Sequence, residues 1–244
     1  MSFTHSHVSF QQWKRRTWEC FLSIEQSYPL KKNFSYPKEK SNFEALMGII
    51  YPIGNFVQLS NDDLNHFAFF AFFLWKSTVL FDFSFVLSAK EKNGKLSLML
   101  ADLYLVQSGE SFSKINHFGQ CTKLLQETLS KISASHLQYN LVSTINMQIK
   151  KHIFYRFGSI IYCVTKAPFL LAKNKMFNDG VLLKFSKHYA LWAVLAFHPL
   201  IKLSSKNRMD CLANQYHRQF LEFCHRHGAK WDYFNQFIKN EELR

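Results

Sequence analysis

A chain of 244 residues with 48% hydrophobic content is long enough to bury a sizeable core. Twenty-six Phe against eight Gly and five Pro exclude the turn-rich usage of a sandwich or barrel and point to helices packed on bulky side chains. The formal charge of +13 suits an anionic partner, but the basic residues, as in Lys14-Arg15-Arg16, Lys31-Lys32 and Lys150-Lys151, are spread too thinly for a nucleic-acid module.

In chain order, residues 1–7 read as a frayed terminus with no apolar signal region. Phe10, Trp13, Thr17, Cys20, Phe21 and Ile24 then form a helical stripe that ends at Tyr28-Pro29. Residues 30–41, lysine-rich and close to prolines, are predicted as a loop. A short apolar helix over 43–50 follows and stops at Tyr51-Pro52 and Gly54. Ser60-Asn61-Asp62-Asp63 supplies a cap and two first-turn carboxylates for the next helix, which gives that Asp pair a structural role.

The segment from Phe67 to Leu87 is apolar on every helical face, interrupted by Lys76 and Asp82. Its two charges count against a membrane span and favour a central helix wrapped by others. A lone carboxylate in such a helix needs a partner, and Asp82 is expected to find one in Lys76 or in a neighbouring chain. Lys90 to Lys95, with Asn93-Gly94 at its tip, reads as a turn before a returning apolar helix over 96–108.

Leu125, Leu129, Ile132 and His136 mark an amphipathic helix with Lys123, Glu127 and Lys131 on its wet side. Val142, Ile145, Ile149, Ile153, Phe157, Ile160 and Val164 mark a longer one closed by Pro168. Residues 181–197 form another before His198-Pro199. Met209, Leu212, Ala213, Tyr216, Phe220, Phe223 and Cys224 stripe the next, and Trp231, Phe234, Phe237 and Ile238 close the chain on a short one. The expected fold is all-α: residues 1–244 as a single-domain helical bundle of about eight or nine helices.

Motifs for chemistry are sparse. Cys20, Cys121, Cys163, Cys211 and Cys224 are scattered and odd in number, which excludes a disulfide scaffold, fits a reducing compartment and leads us to expect a cytoplasmic protein. No metal site is expected, because Cys211, His217, Cys224, His225 and His227 lack the tight pairing of zinc ligands, and the remaining histidines fall singly on separate helices. Neither a G-x-S-x-G elbow nor a Gly-rich phosphate loop is present, so no residue is read as catalytic.

From Leu74 to Ile115, the sequence LWKSTVLFDFSFVLSAKEKNGKLSLMLADLYLVQSGESFSKI resembles the region of polyprenyl diphosphate synthases that spans the first aspartate-rich motif, a basic turn and a V-L-x-G-D-Y-like signature. It is most similar to the small, regulatory subunits of two-component bacterial trans-polyprenyl diphosphate synthases, heptaprenyl diphosphate synthase component 1, over residues 44–140. Phe81-Asp82-Phe83-Ser84-Phe85 stands for the first motif, Ala101-Asp102-Leu103-Tyr104 for the signature, and Asp210 for the second aspartate motif. Magnesium clamps a diphosphate through several converging oxygens, and one aspartate per site cannot assemble that cluster. Lys166-Ala167-Pro168-Phe169-Leu170 matches the family's K-T-x-x-L only loosely.

The resemblance implies an isoprenoid-synthase-like fold and a non-catalytic accessory subunit of a hetero-oligomeric, heptaprenyl-type synthase that makes quinone side chains such as those of menaquinone. It implies a catalytic synthase subunit as partner, which carries the magnesium. An allylic diphosphate at the shared interface and peripheral contact with a membrane are both compatible with it. Phe69, Phe73, Phe81 and Phe85 are then candidates for a tunnel floor or a subunit interface, against the plainer reading as core. Two alternatives stand beside this: an unconventional terpene synthase or prenyltransferase without D-D-x-x-D motifs, and an unrelated helical interaction protein.

Overall fold

The computed structural model describes residues 9–26, 39–86, 92–138, 147–173, 177–198 and 206–228, and among them there are helices and turns but no strand. The chain divides into two compact units, residues 1–35 and residues 36–244, where the sequence reading treats 1–244 as one domain.

The first unit contributes α1, Phe10–Gln26, with Trp13, Thr17 and Phe21 forming its buried stripe. The Thr17 hydroxyl donates back to the Trp13 carbonyl at 2.8 Å, and Arg15 pairs with Glu19 one turn on at 2.9 Å.

The second unit is built around α3, Asn61–Val86. Every residue from Phe67 to Leu80 is buried, as expected of a helix apolar all round. The segment is long and apolar enough to cross a membrane by length and composition, but 89% of that window is packed inside the protein. Ser60 caps the helix: its hydroxyl accepts from the Asp63 N–H at 3.1 Å and donates to the Asp63 carboxylate at 2.7 Å. Asp63 also accepts from the Asn116 backbone N–H at 2.7 Å, so it ties the α3 start to a distant loop, in keeping with a structural role.

Four helices flank α3: α2 (Glu39–Phe56), α4 (Lys92–Ser113), α5 (Thr122–Gln138) and α7 (Ser159–Leu171). The α3 and α4 backbones lie close enough for Ser77 to donate to the Ala101 carbonyl at 2.8 Å and Ser108 to the Phe70 carbonyl at 3.0 Å. A short 3₁₀ turn, Phe118–Cys121, leads into α5. α6 (Met147–Ile153) runs through a π-helical turn, Phe154–Gly158, into α7. α8 (Asp179–Phe197) and α9 (Lys206–Gly228) complete the unit, with Phe185, Tyr189 and Trp192 of α8 packed on Phe220 at ring separations of 5.4, 5.0 and 5.9 Å. The Tyr189 hydroxyl donates to the Ala45 carbonyl at 2.5 Å and so joins α8 to α2.

Several predicted boundaries are corrected. Residues 39–41, expected in a loop, form the first turn of α2, while 30–38 lie outside the described residues. Pro52 does not end α2: it sits buried within the helix, which continues to Phe56 although the proline removes one backbone hydrogen bond. Asn93 and Gly94 are not a turn tip but open α4, where free N–H groups make Gly and Asn tolerable. Pro168 likewise lies inside α7, which continues to Leu171. The final predicted helix around Trp231 lies outside the described residues.

Candidate functional site

Asp82 sits near the carboxyl end of α3, 3% exposed. Its partner is neither Lys76 nor another chain: the Arg156 guanidinium donates from Nη1 to Asp82 Oδ1, with both side chains sealed from water. Lys76 is also buried, but it faces away from Asp82, pairing with Glu39 of α2 and lying 4.3 Å above the Tyr104 ring.

Arg156 reaches this position because of the π-helical turn. One extra residue in the turn shifts the register, so that Arg156, Phe157 and Gly158 all face inward while Tyr155 stays 46% exposed. Gly158 makes room for the Phe154 ring, which would meet an added Cβ at 2.8 Å. The rest of the guanidinium is satisfied by α5: Nε donates to Ser135 Oγ at 3.1 Å and Nη2 to the Ser135 carbonyl at 3.2 Å.

Three histidines close the cluster. His198 ends α8 in an extended conformation, the one favoured before a proline, and its buried ring holds Nε2 3.3 Å from Asp82 Oδ2. His136 Nδ1 lies 3.8 Å from Asp82 Oδ1. His152 Nδ1 lies 3.0 Å from Ser135 Oγ; with that oxygen accepting from Arg156, its own proton is free to go to His152. Phe157 packs edge-on to His198 at 5.5 Å and against Trp75 at 4.5 Å, and Phe81 covers His136 at 5.2 Å, so the polar groups are walled by rings.

The electrostatics follow from this burial. Burial would raise the Asp82 pKa, but the Arg156 charge and the histidines outweigh it and hold the carboxyl below its ordinary range. Burial pushes His136 down to about 4, with Asp82 opposing and Arg156 assisting. His152 also falls to about 4, through burial and the Arg156 charge. At neutral pH the cluster therefore holds one carboxylate, one guanidinium and at least two uncharged imidazoles.

The other predicted site residues do not converge on it. Asp102 is exposed on the outward face of α4, and the Asp210 side chain lies outside the described residues. Phe69 and Phe73 are core residues 6.2 Å apart, with Phe73 stacked on Tyr104 at 5.8 Å. Phe81 is half-buried, and the Phe85 side chain lies outside the described residues. Lys166 is bound to Asp179 at 2.8 Å and to the Tyr162 hydroxyl at 3.1 Å.

A magnesium cluster does not fit these residues. A hard cation of that kind needs several oxygen ligands in near-octahedral array, whereas the two Asp82 oxygens face a guanidinium and an imidazole. Among the described residues no three His, Cys, Asp or Glu side chains are grouped to hold a metal ion.

Reading the sequence alone missed Arg156, Ser135 and the meeting of His136, His152 and His198. One signal was available: Arg156 interrupts the apolar stripe of Ile153, Phe157 and Ile160 just as Asp82 interrupts α3, and two opposite charges inside apolar helices are natural partners.

No protein-family model and no curated protein matches the sequence. Solved structures do match the fold. A geranyltransferase from Legionella pneumophila superposes with a TM-score of 0.56 at 12% identity, over 96% of each chain. A geranyltranstransferase from Thermotoga maritima superposes with a TM-score of 0.55 at 13% identity, over 98% of this chain and 97% of that one. The chain has an all-α, isoprenoid-synthase-like fold.

Proposed function

We propose that this protein is a non-catalytic accessory subunit of a hetero-oligomeric polyprenyl diphosphate synthase. It would support the elongation of heptaprenyl-type chains for quinone side chains and influence their length. The catalytic partner carries the aspartate-rich motifs and the magnesium, and the assembly works in the cytoplasm, with any allylic diphosphate bound where the two subunits meet.

The observation that carries this reading is the pairing of Asp82 with Arg156 within an isoprenoid-synthase-like fold. A lone carboxylate sealed from water, with Oδ1 bonded to an internal guanidinium and Oδ2 3.3 Å from His198 Nε2, cannot gather the several converging oxygens that a magnesium ion needs. Among the described residues, the buried cations are engaged as well, Lys76 with Glu39 and Arg156 with Asp82, and the half-buried Lys166 pairs with Asp179. This disfavours a diphosphate site built on lysine and arginine alone.

The test is to incubate the purified chain with farnesyl diphosphate, isopentenyl diphosphate and magnesium. It is run alone and together with each D-D-x-x-D-bearing synthase encoded in the same genome. The expected result is no product from the chain alone, and a gain in yield or chain length when one synthase is supplemented with it. Elongation by the chain alone would overturn the proposal.

A further inference from the structure

Where α8 meets α9, a group of like charges stands on the surface with little to offset it. Lys184 and Lys187 are exposed and, with His188, occupy positions i, i+3 and i+4 of one face of α8. The His188 ring rests on Phe223 of α9 at 5.9 Å, and Phe223 packs on His227 at 4.4 Å. Arg226, three residues beyond Phe223, is exposed and close enough for its charge to act on the His188 ring. Among the described residues Lys184 and Lys187 make no ion pair or hydrogen bond. Arg226 has Glu222, one turn back on its own helix, at 3.8 Å, but both side chains are open to water and such a pair contributes little. Asp179, the acid at the start of α8, is already taken by Lys166 at 2.8 Å.

Crowded like charges cost free energy until an anion offsets them, and the imidazole registers that cost. Burial first, then the charges of Lys187, Arg226 and Lys184, lower the His188 pKa. Of its two ring nitrogens only Nδ1 is sealed from water, so Nε2 is the one a ligand can reach. Two ammonium groups on flexible stems and a guanidinium fork suit an anion with several oxygens and more than one charge. The three cations surround one point and form no extended stripe, which favours a terminal phosphate over the singly charged diesters of a nucleic acid.

We infer that Lys184, Lys187, His188 and Arg226 form a surface site for a phosphomonoester, carried either by a soluble ligand or by the headgroup of an anionic lipid. The two lysines and the arginine supply the charge, and His188 Nε2 donates to the same group. The site lies about 15 Å along α8 from His198, outside the Asp82 cluster, and it does not rest on the accessory reading.

The experiment uses the full chain in about 0.15 M salt, where loose surface attraction is screened. The soluble probe is glycerol 3-phosphate, followed by NMR. The lipid probes are phosphatidylcholine vesicles containing phosphatidic acid or phosphatidylserine, followed by co-sedimentation. Lys184→Gln/Lys187→Gln and Arg226→Gln are each expected to weaken binding about ten-fold or more, the worth of lost charge-assisted hydrogen bonds. Lys123→Gln/Lys131→Gln on α5 removes the same charge as the α8 pair and should change affinity less than about two-fold. All these positions are exposed, and unchanged thermal melting checks that each variant folds. In the unsubstituted chain the bound phosphate should raise the pH at which the His188 ring titrates.

Tighter binding to phosphatidic acid than to phosphatidylserine vesicles, lost in the α8 and α9 variants, assigns the phosphate to a lipid headgroup. Binding of glycerol 3-phosphate without vesicle binding assigns it to a soluble ligand. The inference is overturned if neither probe binds, if the α5 control loses as much affinity as the α8 pair, if the two anionic lipids bind equally, or if the probe binds and leaves the His188 titration unmoved.

Discussion

Arg156 bonds to Asp82 across 74 residues of sequence, from the inside of a π-helical turn to the inside of the central helix, with neither side chain more than 2% exposed. A buried pair of this kind contributes less to stability than its geometry suggests, because both ions give up their water. Breaking it is costly, because one charge is then left alone.

Removing one partner should therefore be far worse than removing both. Arg156→Met and Asp82→Leu are each expected to lower the unfolding free energy by about 3–5 kcal/mol. The double variant should recover most of that loss, since an apolar pair leaves no uncompensated charge. Urea titration of the two single variants and the double variant measures the coupling directly.

The histidines beside the pair make stability depend on pH, and the sign follows from their depressed values. His136 and His152 stay neutral in the folded protein down to about 4, whereas in the unfolded chain they take up protons near 6.5. Between those values the unfolded state binds more protons, so stability falls as the pH drops from 6.5 to 4. Asp82, whose folded pKa is lowered, adds a further loss below its ordinary value of 3.8. Urea midpoints measured across this range should show proton uptake on unfolding from His136, His152 and His188, which burial also lowers, and that uptake should fall by about one proton in His136→Gln.

Lys76 and Glu39 form a second buried pair whose members are unequally placed. The Lys76 side chain is 3% exposed and the Glu39 side chain 13%, and Glu39 lies in the first turn of α2, where the helix end favours negative charge. Glu39→Ala should therefore destabilise more than Lys76→Met, because it strands the deeper charge. Burial already lowers the Lys76 pKa against the pull of Glu39. Without Glu39 that pKa falls further, so the stability of Glu39→Ala should improve as pH rises towards 10 and Lys76 sheds its proton.

Two glycines should respond in opposite directions to the same substitution. An added Cβ at Gly54 would overlap the Leu64 side chain where α2 approaches α3, and Gly54→Ala is expected to cost about 1–3 kcal/mol. Gly109 has open space and sits well inside α4, so Gly109→Ala should stabilise the isolated chain by about 0.5–1 kcal/mol. Thermal melts of both variants give the comparison.

Much of the fold was legible along the chain because apolar periodicity is local. The uninterrupted apolar run of α3, the polar cap at Ser60 and the stripe of α9 through Ala213, Phe220 and Phe223 were all readable as linear patterns. Boundaries were less legible where the usual breakers are overridden by packing. Pro52 and Pro168 both lie buried within helices that continue past them.

The candidate site was half legible. That Asp82 needed a partner followed from its apolar neighbours, since a carboxylate loses its solvation in any such helix. Which residue answered that need depended on geometry no linear pattern carries: the extra residue of a π-helical turn rotating Arg156 inward, and the extended backbone of His198 at the end of α8. Amino-acid order settles which faces must be dry, because burial follows from side-chain chemistry. Only the packed chain decides which dry faces meet, and so which charge neutralises which, because ion pairing acts over a few ångströms of space and is blind to separation along the backbone.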